Sequence, residues 1–177
     1  MIIINNENSL RVDCEDVTIE EYSDLLNKLE FELSNANKLG KNGIGLAAPQ
    51  IGIAKNIAII RLPKIKLDLV NCKINKGYDS SFFKEEGCLS FPGRVENTMR
   101  YQEIHVINNL VEPHSFIATG LLAVVCQHEI DHLNKKLFFD HMVPKQNTII
   151  NKIKVKPNDP CICGKSRKYK KCCGKVI

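Results

Sequence analysis

The chain has 177 residues, 44% hydrophobic and 25% charged, a balance that suits one globular domain with a core plus a small appendage. No apolar run reaches the length of a membrane span, and the start MIIINNENSLRVD lacks the basic, apolar and small-residue pattern of a secretory leader. The sequence therefore predicts a cytoplasmic protein with no membrane contact. The net charge of +5 is uneven: residues 145–177 carry ten Lys or Arg against Asp159 alone, a net of +9, while the rest carries 15 basic and 19 acidic residues, a net of −4. In a reducing compartment the eight cysteines point to metal ligands and free thiols rather than disulfides.

In chain order, Thr18-Ile19-Glu20-Glu21 fits a capping box. Tyr22, Leu25, Leu26, Leu29 and Leu33 follow at helical spacing, with Gly40 past the end. This predicts an amphipathic helix over roughly 18–38. The Gly-rich stretch GIGLAAPQIG comes next. Short strands are expected at 56–62, 67–72 and 103–108, separated by turns at Asn71, Lys76-Gly77 and Pro92-Gly93. A second helix is expected from Gly120 to about Asn134, and LFFDHMV reads as a short strand or a segment docked on the core. One helix, then strands, then one helix indicates an α+β fold.

The second helix carries QHEIDHL. His128 and His132 lie four residues apart, so both imidazoles project from one face with Glu129 beside the first. That pattern holds a metal ion with a carboxylate at hand. A catalytic metal takes three protein ligands and keeps one position open. No glutamate follows Glu129, and the position six beyond His132 is Phe138, so the two usual downstream ligands are absent. Asp140 and His141 stand close past the helix in an apolar context. Upstream, Cys88 in KEEGCLSFPG offers a thiolate, with Gly87 allowing close backbone approach and a turn following at Pro92-Gly93. Cys14, Cys72 and Cys126 read as buried free thiols.

Three stretches, GIGLAAPQ at 43–50, EEGCLSFPG at 85–93 and QHEIDHL at 127–133, closely resemble in order and spacing the motifs of peptide deformylase. The resemblance extends over most of residues 1–144. It implies antiparallel strands around a central metal-binding helix and removal of the formyl group from N-formylmethionine of nascent chains. It also implies that Cys88, His128 and His132 hold the metal, that Glu129 is the general acid/base, and that Gln50 and the N–H of Leu89 receive the oxyanion. The typical metal would be Fe(II), replaceable by Zn, Ni or Co. Gly43, Gly45 and Gly87 would let an extended peptide approach closely. Ile44, Leu121, Val124 and Val125 would surround the methionine side chain, and Arg100 matches an arginine near the substrate. Asp131 would orient a ligand histidine or tie the helix to the body. Lys135, Asn71-Cys72 and NNENSLR depart from the family pattern at turns and at the outer pocket.

Residues 145–156 read as a polar linker, leaving 1–144 as the catalytic domain and 157–177 as a zinc-stapled tail. The tail spaces Cys161 and Cys163 as C-x-C, then eight residues, then Cys172 and Cys173, an all-thiolate Zn(II) set on a stretch too short for a core. It resembles the SEC-C motif at the end of the preprotein translocase motor, which implies contact with ribosomal RNA or a chaperone. Two other functions fit parts of the sequence. An HExxH metallopeptidase would share the helix chemistry but lacks its downstream ligand. A non-catalytic adaptor would need only the tail, and would not require Gln50, Cys88, His128, Glu129 and His132 together.

Overall fold

A computed structural model describes residues 1–143, 158 and 167–171. The chain divides into two compact units, Met1–Met142 and Val143–Ile177. In the second, a single 3-10 turn at Tyr169–Lys171 is described. The four cysteines expected to bind zinc and the linker expected at 145–156 lie outside the described residues. No described helix is long and apolar enough to cross a membrane.

The first unit begins with a short helix, α1 (Glu7–Leu10), whose Ser9 N–H donates to Asn6 Oδ1 at 3.1 Å. The long helix α2 (Ile19–Lys38) follows, and at its start the Thr18 N–H donates to Glu21 Oε2 at 3.0 Å. It ends where Gly40 adopts φ +77°, a left-handed conformation natural to glycine. Leu25, Leu29, Leu33 and Ala36 form its buried stripe.

Two antiparallel sheets follow. The first orders β1 (Gly45–Ala47), β2 (Ile57–Leu62) and β3 (Ile65–Val70), with Gly45 opposite Ile60 and Ala47 opposite Ala58. Strand β2 is buried on both faces. Ile57 and Ile59 join the α2 stripe, whereas Ala58 and Ile60 join the cluster around Val125, Cys126 and Ile130. A central strand with a period of two thus divides its side chains between two apolar layers. The second sheet orders β4 (Cys72–Gly87), β5 (Val95–Asn108) and β6 (Ser115–Thr119). Even-numbered β5 residues Thr98, Arg100, Ile104, Val106 and Asn108 point inward and are buried.

Helix α3 (Gly120–Leu133) is buried at every position from Ala123 to Leu133. It packs on β1, β2, β5 and β6, so strands surround it. Gln127 ties it to β5: its amide accepts the Tyr101 N–H and donates to the Tyr101 carbonyl, both at 2.9 Å.

Several expectations shift. The strand expected at 67–72 is β3 over Ile65–Val70, and the one expected at 103–108 is the last part of the longer β5. Neither β4 nor β6 was expected as a strand. Lys76-Gly77 is not a turn but lies inside β4, beside a bulge between Ile74 and Lys76. Pro92-Gly93 does lie in the reversal between β4 and β5, with Gly93 at φ +79°. Of the two readings of LFFDHMV the core-docked one holds: it forms a 3-10 turn over Phe138–His141 with Leu137 and Phe138 buried, followed by Met142 bridging Thr98.

Candidate active site

Three elements converge on one cleft of about 510 Å³. Helix α3 brings His128 and Glu129 to its wall and His132 behind them. The reversal after β4 brings Cys88 and Leu89. The 3-10 turn Ala48–Ile51 after β1 brings Gln50. One ligand atom from each of Cys88, His128 and His132 lies within 4.8 Å of the other two, the one such group of three among the described residues. Cys88 Sγ is 3.4 Å from His132 Nε2.

The surroundings of this trio fit a cation. His128 Nδ1 is engaged by Glu86 Oε1 at 2.7 Å, which leaves its other nitrogen for the cluster. A carboxylate on the far side of a ligand histidine is the usual way such a ring is oriented. Burial disfavours a proton on His128, yet Cys88 and Glu86 raise its pKa well above the ordinary range. His132 moves the other way, lowered first by its burial and then by the charge of His128, so it stays neutral and able to ligate. A cluster that pulls positive charge toward a thiol and carboxylates, and offers one sulfur and two imidazoles, matches the donor preferences of Fe(II), Zn and their neighbours.

Glu129 is 4% exposed, and its Oε2 has no hydrogen-bond partner within the protein. Burial pushes its carboxyl up to about 7. Gln50, 1% exposed, is fixed at both ends of its amide. Oε1 accepts the Ala47 N–H at 2.8 Å, while Nε2 donates to Ser90 Oγ at 3.1 Å and approaches Cys88 Sγ at 3.5 Å. The Ser90 N–H also donates to Cys88 Sγ at 3.4 Å.

Behind the trio lies a buried ion cluster. Arg100 forks onto Glu86, Nε to Oε2 at 2.9 Å and Nη2 to Oε1 at 2.7 Å, and reaches Asp131 Oδ2 with Nη1 at 2.5 Å. Thr98 Oγ1 donates to Glu86 Oε2 at 2.5 Å. Burial alone would raise the Glu86 carboxyl; His128 and Arg100 hold it down to about 2, so it stays ionised. His141 Nε2 lies 3.0 Å from Asp131 Oδ2, and Asp140 pairs with Arg11. Phe138 stacks against His128 at 6.0 Å between ring centroids.

Gly43, Ile44, Gly45, Gly87, Leu121, Val124 and Val125 line the cleft with Gln50, Cys88 and Leu89. Arg100 does not. It is 2% exposed and spends its guanidinium on two carboxylates, so the expected position near the substrate is corrected to a clamp behind His128. Gly43 and Gly45 are also close-approach points within the protein. A Cβ on either would meet the protein itself, Leu89 Cδ1 at 2.5 Å from Gly43 and the Glu129 side chain from Gly45. Cys14, Cys72 and Cys126 are free thiols in or against the apolar core. Sequence reasoning missed Glu86, Ser90 and Thr98. The pair Glu85-Glu86 offered a signal, but only the bulge between Phe83 and Glu86 decides which carboxylate turns inward.

A polypeptide deformylase family profile matches residues 1–148. A peptide deformylase 1 from Pseudomonas syringae is 40% identical over 105 residues, which covers 56% of this chain and 62% of that protein, under two thirds of its length. The crystal structure of a peptide deformylase from Thermotoga maritima superposes with a TM-score of 0.71 at 30% identity, covering 81% of this chain and 97% of that one. A class I type b peptide deformylase from Acinetobacter baumannii, crystallised with Met-Ala-Ser bound, superposes with a TM-score of 0.67 at 28% identity over 80% of this chain and 97% of that one.

Proposed function

The chain belongs to the polypeptide deformylase family, and from that premise we infer that it hydrolyses the N-formyl group from N-formylmethionine of newly made proteins, releasing formate and a free amine. The observation that carries this is the meeting of Cys88, His128 and His132 in one cleft with a buried carboxyl, Glu129, beside them. The Met-Ala-Ser held by the Acinetobacter enzyme has the form of the product such a reaction leaves.

Cys88, His128 and His132 would hold the metal. A divalent ion there acts as a Lewis acid toward a carbonyl oxygen and lowers the pKa of a water molecule toward neutrality. Glu129, with a carboxyl near 7, can accept a proton from the attacking water and deliver it to the departing amine nitrogen at the pH of the cell. As the formyl carbon becomes tetrahedral its oxygen gains charge, and fixed N–H groups meet it. Gln50 Nε2 donates to Ser90 Oγ and to Cys88 Sγ, and the hydrogen on the sulfur is the one that would turn to serve the oxyanion beside the Leu89 N–H. One such donor is worth about 3 kcal/mol in the transition state. Ile44, Leu121, Val124 and Val125 give the apolar wall that a methionine side chain needs.

Fe(II) is the metal of this reading, with Zn, Ni or Co able to replace it, and the cytoplasm is its place. Within it, residues 1–144 are the catalytic domain, 145–156 the linker and 157–177 a SEC-C type zinc motif held by Cys161, Cys163, Cys172 and Cys173. The +9 charge of residues 145–177 suits ribosomal RNA or an acidic chaperone, and tethering near the ribosome would raise the enzyme's concentration at emerging N-termini. The test compares three peptides of one sequence, formylated, acetylated and with a free amine, on protein purified without oxygen. Formate from the first and no cleavage of the other two is expected. Internal cleavage of the free-amine peptide would make the protein a peptidase.

A further inference from the structure

Gly45 poses a question that its backbone does not answer. It sits in the extended strand β1, opposite Ile60, and its φ is not in the left-handed range that calls for glycine. Alanine would suit such a strand better, because glycine pays extra chain entropy on folding and packs nothing. Space explains the choice. A Cβ built on Gly45 has three nearest neighbours, and all belong to Glu129: its Oε1 in outright overlap, its Cδ at 2.8 Å and its Cγ at 3.1 Å. Relief would therefore require the whole end of the side chain to move, not one terminal atom. Glu129 is 4% exposed on a helix whose neighbouring residues are all buried, and its open side is the cleft it lines, so relief would drive the carboxylate toward the cleft. Gly43 differs. There the nearest atom, Leu89 Cδ1 at 2.5 Å, is the end of a flexible, partly buried side chain.

We propose that Gly45 is a positioning residue for the reaction: the missing side chain of β1 is the seat of the Glu129 carboxylate and fixes where that group stands in the cleft. The proposal rests on the deformylase reading only for what the carboxylate does, not for where it sits. A methyl group on Gly45 would push the carboxylate off the line of proton transfer while leaving the three metal ligands and the apolar walls in place. The loss should fall on kcat rather than on KM.

The test uses the full-length, metal-loaded chain and two backgrounds. In the parent, Gly45→Ala should lower kcat at least 100-fold with KM within threefold and metal content unchanged, and should lower Tm by about 4 °C or more, the shift expected of an overpacked core site. In Glu129→Ala, where the seat has lost its occupant, the same substitution should leave Tm unchanged or raise it. A fall in Tm of equal size in both backgrounds would overturn the proposal, because the methyl group would then be striking something other than Glu129. A parent kcat retained within threefold would overturn it too, as would a loss confined to KM. If the parent releases no formate, the reaction assignment fails, while the two-background Tm comparison still decides whether Gly45 seats Glu129.

Discussion

Replacing Arg100 with methionine should loosen both the fold and the metal site. The guanidinium is 2% exposed and neutralises two carboxylates, Glu86 at 4% and Asp131 at 8% exposure. Methionine fills much of the same volume but supplies no charge or donor, so two buried anions lose their main partner. Breaking a buried ion pair by removing one member costs about 3–5 kcal/mol. For a chain of this size each kcal/mol lowers Tm by about 2–4 °C, so a fall of about 6–20 °C is expected. A second effect is local. Glu86 is held between Arg100 and His128, and once released it no longer fixes the imidazole. Loss of such an orienting partner weakens metal binding about 10–100-fold. Scanning calorimetry reads the first effect, and competition with a graded chelator on metal-loaded protein reads the second. Adding Glu86→Gln and Asp131→Asn to Arg100→Met, which removes the orphaned charges, should recover part of the lost Tm. A single variant that costs less than about 1 kcal/mol and keeps its metal would refute the reasoning.

Other expectations follow from the same geometry. Gln50→Ala should reduce kcat about 100- to 1,000-fold with little change in KM, since the donor acts on charge that develops only in the transition state; steady-state kinetics checks this. Leu29→Ala, at a fully buried position of α2 away from the site, should cost about 2–5 kcal/mol in urea unfolding and spare kcat of the folded protein. Arg11, through its fork onto Asp140 at 2.6 and 2.8 Å, holds that carboxyl below its usual range. A lowered folded pKa contributes stability above the unfolded value of about 3.9 that is lost as pH falls through the folded one. Asp140→Asn should therefore lose up to about 1 kcal/mol at pH 7 and converge with the parent as pH falls below the folded value.

Much of the candidate site was legible because its chemistry is local. HEIDH spaces two imidazoles one turn apart, and the structure brings Cys88 to them from a distant reversal. Helix α2 was legible through its apolar stripe and cap. Strand β4 was not, because CKINKGYDSSFFKEEG is largely polar and lies at the sheet edge; what makes it a strand is pairing with β5. Arg100 has a charged side chain on an alternating strand, and only the register turns it inward against Glu86. The glycines of GIG were legible as close-approach points, but sequence could not say that the approaching groups are Leu89 and Glu129.

The central claim is that one buried carboxyl, Glu129, moves the proton beside a metal held by Cys88, His128 and His132. Formate release from a short N-formylmethionyl peptide should be followed in metal-replete parent and Glu129→Ala, with metal content measured on the same samples. The account predicts equal metal in both and a rate at least about 100-fold lower in the variant. Equal rates at equal metal content would contradict it.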